Sequence, residues 1–88
     1  MLQYQFEIVN NLGLHARASA LFVKAAAPFS SEVRLSLDGI EVNGKSIMGV
    51  MMLAAGKGST VQLRVEGPDE TTAMQTVGKL IQDGFGEI

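Results

Sequence analysis

Glu32-Val33-Arg34-Leu35-Ser36-Leu37-Asp38-Gly39-Ile40-Glu41-Val42 is the stretch that decides the fold. Val33, Leu35 and Leu37 alternate with Glu32, Arg34 and Ser36, and beyond Asp38-Gly39 the apolar Ile40 and Val42 flank Glu41. A period of two sends successive side chains to opposite faces of a strand, so each run has one apolar and one polar face. Asp-Gly between two such runs accommodates the positive φ angles that a tight hairpin requires. The stretch therefore predicts a pair of antiparallel strands with one face to cover.

Working outward, Leu2, Tyr4, Phe6 and Ile8 alternate with Gln3, Gln5 and Glu7, and Thr60–Glu66 places Val61, Leu63 and Val65 on one side. Both read as further strands. Asn10-Asn11-Leu12-Gly13 reads as a turn. From about Ala16 to Ala27 the chain is alanine-rich, has no Gly or Pro, and meets Pro28, which predicts a helix and its stop. Ser46 is suited to cap a short helix running to about Leu53, with Gly56 and Gly58 ending it. Gly67-Pro68-Asp69-Glu70 turns into a third helix, on which Ala73, Met74, Val77, Leu80 and Ile81 recur at helical spacing. The order β-α-β-β-α-β-α predicts an α+β open-faced two-layer sandwich. A four-stranded antiparallel sheet is covered on one face by three helices. Residues 1–88 are expected to form a single domain, because halves of an 88-residue chain could not each bury a core.

Composition narrows the function. The apolar share is 47%, there is no cysteine, and the net charge is −2. The first excludes a disordered chain, and the second excludes disulfides, thiolate metal sites and cysteine nucleophiles. An acidic balance does not suit nucleic acid, and no apolar run is long enough to span a bilayer. The amino-terminal stretch has no basic segment followed by an apolar core, so a cytoplasmic location is expected. Between Ile8 and Ser31 the charged residues are Arg17 and Lys24, and between Val42 and Val65 they are Lys45, Lys57 and Arg64, all cations. If those stretches meet in space they form a locally positive, apolar face suited to an anion or an acidic partner.

His15, the only histidine, falls between the Gly13 turn and the first helix. Backbone N–H groups without intrahelical partners converge there with the positive end of the helix dipole, which suits a phosphate. A neutral imidazole is a competent nucleophile towards phosphorus, and Arg17 can add a charge-assisted bond to the product.

Asn11-Leu12-Gly13-Leu14-His15-Ala16-Arg17-Ala18-Ser19 resembles the active-site segment of the HPr family, the histidine-containing phosphocarriers of the bacterial sugar phosphotransferase system. Lys45-Ser46-Ile47-Met48-Gly49-Val50-Met51-Met52-Leu53 resembles that family's second segment, and the likeness extends over the whole chain. The resemblance implies that Enzyme I, charged by phosphoenolpyruvate, phosphorylates His15 on Nδ1, and that the group then passes to the IIA domain of a permease. Arg17 would be its electrostatic partner, and the N–H groups of Ala16 and Arg17 its cradle. The chain would be a carrier and not an enzyme turning over a small molecule, and would act without a cofactor, as a monomer. The family commonly has proline where this chain has Ala18, which restores a donor near the phosphate and gives up some rigidity of the unfolded chain.

Ser46 is a good helix cap in its own right. The resemblance adds phosphorylation by a dedicated HPr kinase/phosphorylase, placing about two negative charges where an acidic partner approaches. Val50 and Leu53 are expected to face the core. Ile47, Met48 and Met51 then lie towards solvent, where unbranched methionines adapt to different surfaces. The resemblance joins them to Ala20 and Lys24 in one docking face. Gly39-x4-Gly44-Lys45-Ser46 satisfies the letters of a phosphate-binding loop, but Gly39 falls in the hairpin turn and Ile40–Val42 in a strand. No metal site is expected, since no carboxylate lies near His15 in sequence. Gly84-Phe85-Gly86-Glu87 is faintly like the nitrogen-related branch, whose carrier acts on a regulator and not on sugar uptake. A purely structural domain would instead hold His15 buried or fully paired.

Overall fold

A computed structural model describes residues 1–87. Strands β1 (Leu2–Glu7), β2 (Glu32–Leu37), β3 (Ile40–Asn43) and β4 (Thr60–Glu66) alternate with helices α1 (Ala16–Ala26), α2 (Ile47–Met52) and α3 (Glu70–Gln82) in the expected order. The strands form one antiparallel sheet in the order β1-β4-β2-β3. Asp38 and Gly39 both take positive φ (53° and 84°), closing the hairpin that pairs Leu37 with Ile40.

The central strands carry the core. Val33, Leu35, Val61, Leu63 and Val65 are fully or almost fully buried, and Leu35 faces Leu63 across the ladder. Phe22 from α1, Val50 from α2 and Val77 and Ile81 from α3 close over them. Each such side chain removed from water contributes roughly 1.5–3 kcal/mol before entropy is counted. The opposite face of the sheet is polar and open, with Arg34 beside Glu32 (2.8 Å), Arg64 beside Glu41 (2.9 Å) and Gln3 donating to Gln62. Tyr4 has the inward parity of β1 yet is 56% exposed, because β1 is an edge strand and little covers its outer margin.

The short helix α2 stops differently from expectation. Gly56 and Gly58 lie beyond its end, and the left-handed residue is Ala54 (φ 51°), just past the cap at Leu53. A Cβ in that conformation costs about 1–2 kcal/mol, which glycine would not incur. A further element was not foreseen, a single turn over Gly84–Gly86 in which Gly84, Phe85 and Gly86 all have positive φ (61°, 57° and 75°). Two glycines make that turn accessible. The Phe85 ring is 4% exposed, and its burial offsets the backbone cost at its own position.

Helices α1 and α3 pack against one another with opposite ends adjacent. The start of α1 therefore lies beside the segment that follows α3, and the loop after α1 lies beside the start of α3.

Candidate functional site

His15 is the N-cap of α1, with extended backbone (φ −70°, ψ −179°). Its carbonyl takes the first bond of the helix, from Ser19 N–H at 2.9 Å, so the N–H groups of Ala16, Arg17 and Ala18 lie ahead of the ladder. The preceding turn is tightly fastened. Leu14 N–H donates to the Ala55 carbonyl (2.9 Å), and the buried Ser19 hydroxyl donates to the Leu14 carbonyl (3.0 Å). Gly13 has φ 63° and packs so closely that a Cβ would collide with the Ala55 carbonyl. The segment after α2 thus sets the height of the loop carrying His15.

The imidazole does not cap its own helix. Its Nε2 lies 2.6 Å from Glu87 Oε2, a contact spanning 72 residues of sequence. The other oxygen, Oε1, accepts from the Asn10 amide at 3.0 Å, and the same amide nitrogen donates to the Gly13 carbonyl at 2.8 Å. Hydrogen bonds from Asn10 first, and then His15, hold the Glu87 carboxyl below the usual glutamate range. Asn10 is fully buried and its Oδ1 has no partner, which costs about 1–3 kcal/mol. Flipping the amide would set Oδ1 against two acceptors, so this orientation is dictated by Glu87 and Gly13 together.

The His15 side chain remains 27% exposed, so the ring is neither sealed in nor free. It lines a surface cavity of about 370 Å³ with Asn11, Leu12, Arg17, Gly86 and Glu87. Arg17 is exposed and shares that cavity. Ala18 is fully buried in the first turn. Ser46 is the N-cap of α2, its hydroxyl accepting from Gly49 N–H at 3.1 Å. Ile47, Met48 and Met51 are exposed (43%, 69% and 37%) while Val50 and Leu53 are buried, as expected. Ala20 and Lys24 are exposed on α1, which packs against α2.

One expectation about charge needs correcting, and one contact was not foreseen. The cationic stretches do meet, with Lys57 Nζ donating to Asn11 Oδ1 (2.9 Å) and Lys45 Nζ to the Phe29 carbonyl. Arg64, however, points to the open face of the sheet, where it pairs with Glu41. And Glu87, distant in sequence, brings a carboxylate to His15 itself. Sequence reasoning missed Glu87, Asn10, and the exposed Leu12 (71%) and Met52 (77%). The clue to the first was Gly84-Phe85-Gly86, whose two glycines signal an unusual backbone ahead of a charged residue. The Gly39–Ser46 letters form no phosphate loop, since Gly39 sits in the hairpin and the Lys45 ammonium is already bonded. Among the described residues there is no cluster that could hold a metal ion, and no helix long and apolar enough to cross a membrane.

The open-faced α+β sandwich thus presents one part-exposed histidine and an arginine at the mouth of its first helix. The family model described as "PTS HPr component phosphorylation site" matches residues 2–83, and the chain belongs to that family. It is 56% identical over 87 residues, covering 99% of this chain and 98% of its relative, to the phosphocarrier protein HPr of Cupriavidus necator. The crystal structure of HPr-C-His from Thermoanaerobacter tengcongensis superposes with a TM-score of 0.96 at 45% identity, over 100% of this chain and 99% of that one. The family is that of the phosphocarrier proteins of the phosphotransferase system. A structure described as an HPr dimer from the same Thermoanaerobacter species also matches (TM-score 0.79, 46% identity, 99% and 100% coverage), so similarity does not carry the expectation of a monomer.

Proposed function

We propose that this chain accepts a phosphoryl group on His15 from Enzyme I charged by phosphoenolpyruvate, and passes it to the IIA domain of a sugar permease. The observation that carries the proposal is the part-exposed ring at the mouth of α1, sharing a cavity with Arg17. A histidine serving only the fold would be buried or fully paired. The N–H groups of Ala16 and Arg17 cradle the transferred group, and the Arg17 guanidinium opposes its charge. The product is a phosphohistidine on Nδ1, and stabilisation is moderate because the carrier must release the group again. Residues 1–88 act as one unit in the cytoplasm, and the chain is a monomer when it meets its partners.

Ala20, Lys24, Ile47, Met48 and Met51 form the docking face shared by those partners. Its exposed methionines adapt to different surfaces, and Lys24 suits acidic ones. Ser46 is a regulatory site for an HPr kinase/phosphorylase. A phosphate there is tolerated at the helix start and obstructs docking beside the apolar patch. A second reading, drawn from the likeness of Gly84-Phe85-Gly86-Glu87 to the nitrogen-related branch, gives the chain a regulator as its final target.

Incubation with Enzyme I and labelled phosphoenolpyruvate tests the proposal. Acid-labile, base-stable label on the chain is the expected result, and no label with an active Enzyme I overturns it. Adding IIA domains of the sugar and nitrogen-related branches to the labelled protein then separates the two readings by which one discharges it.

A further inference from the structure

We infer that Glu87, delivered by the left-handed Gly84–Gly86 turn and locked by Asn10, is a positioning residue that fixes the proton of His15 on Nε2 and leaves the lone pair on Nδ1. The inference deepens the carrier reading and rests on it only for its kinetic consequence.

Three observations converge. The Glu87 side chain is 18% exposed and both its oxygens are engaged, one by His15 Nε2 and one by Asn10. A carboxylate only accepts, so Nε2 must be the donor and the neutral ring keeps its free lone pair on Nδ1. Asn10 spends its amide hydrogens on Glu87 and Gly13 while its buried Oδ1 goes without a partner. An asparagine that served the fold alone would not be expected to sacrifice an acceptor in that way. Finally, three consecutive positive φ angles bring the chain back from the end of α3, and the buried Phe85 ring anchors that reversal. Left-handed backbone at the non-glycine Phe85, two residues before a side chain that touches the reactive ring, is characteristic of a functional constraint.

The consequence for transfer follows by balance. The Nδ1 lone pair forms the new N–P bond while the bond from phosphorus to the donor's leaving atom breaks, its electron pair staying with the donor. The Nε2 proton does not move. The phosphorylated ring is then positively charged, and the Glu87 carboxylate faces that charge from the side opposite the phosphoryl group. The arrangement stabilises the charged ring without adding any bond to the phosphoryl group itself. Asn10 acts only through Glu87.

The test uses full-length protein with ¹⁵N-labelled histidine, in the parent, in Glu87→Ala and in Asn10→Ala. At a pH where the ring is neutral, the parent is expected to show a single Nε2–H tautomer with an Nε2 proton slow to exchange with water. In Glu87→Ala that proton is lost to exchange and the two ring nitrogens shift towards one another as both tautomers appear. Asn10→Ala falls between. A residue that merely stiffens the fold would leave the tautomer unchanged, and an unaltered tautomer and exchange rate in Glu87→Ala would overturn the inference. The rate of label acceptance from Enzyme I is expected to fall roughly tenfold in Glu87→Ala, with a parent-like circular dichroism spectrum. A parent that takes no label removes the carrier reading, while the tautomer measurement still judges Glu87.

Discussion

The two ends of the α1–α3 pair are tied in the same way and to different effect. At one end Asp69, which begins α3, accepts from the N–H groups of Ser30 and Ser31 and from the Ser31 hydroxyl. At the other, Glu87 accepts from the Asn10 amide and engages His15. Both carboxylates pin the turn beside one end of α1 to the matching end of α3. Asp69 does so with fixed backbone and hydroxyl donors, and the arrangement closes on itself. The Glu87 end leaves a buried acceptor unpartnered and gives one of its bonds to a titratable, part-exposed ring. A hydrogen-bond network that satisfies every member is built for stability, whereas one that leaves a member short is a place to look for chemistry.

The comparison breaks most sharply by a pair of substitutions. Arg17→Ala, at the Glu87 end, is expected to slow phosphoryl acceptance about a hundredfold with the urea midpoint unchanged. Asp69→Ala should do the reverse, lowering the urea midpoint while the remaining folded protein takes label at the parent rate. A transfer defect in Asp69→Ala that survives correction for unfolding would mean the two ends are not separable.

Two effects next in size concern partner approach. Ser46→Asp should slow acceptance from Enzyme I by an order of magnitude or so without changing the fold, since charge arrives beside the docking face. Equal rates would remove Ser46 as a regulatory site. Met48→Glu is expected to weaken Enzyme I binding on the order of tenfold, measured calorimetrically, with native circular dichroism.

Acid sharpens the comparison further. Asp69 is held below the ordinary carboxylate range by the Ser31 hydroxyl first and then by backbone N–H groups, and Glu87 by Asn10 and then His15. A depressed folded pKa contributes stability above the unfolded value, and that contribution disappears as pH falls through the folded one. Unfolding midpoints measured downward from neutral pH should therefore begin to fall as the pH enters the ordinary carboxylate range and go on falling below it, less steeply in Asp69→Asn. The smallest expected effect lies away from both ends. Ala54→Gly should stabilise the fold by about 1 kcal/mol in urea titration, because glycine relieves the left-handed backbone after α2.

Local signals were legible in the sequence. Asp38-Gly39 marked the hairpin, Ser46 the start of α2, and the alternation in β2 and β4 the buried face, because each rests on neighbours a few residues apart. His15 was legible for the same reason, standing between a turn and a helix. What periodicity could not carry was the meeting of His15 with Glu87 across 72 residues. The glycines of Gly84-Phe85-Gly86 mark an unusual backbone but not the partner it meets; that proximity follows from the antiparallel packing of α1 and α3 and from a left-handed turn. Ala54 was unreadable because glycines nearby offered an easier stop, and Tyr4 because parity cannot tell an edge strand from a central one.

The most direct measurement is the site of the phosphoryl group in protein charged by Enzyme I, read by ³¹P and ¹⁵N resonance on the intact chain. The account predicts one phosphorus–nitrogen signal, on Nδ1 of His15, that vanishes in His15→Ala. Phosphorus bonded to Nε2, or found on Ser46 with the imidazole unmodified, would contradict it.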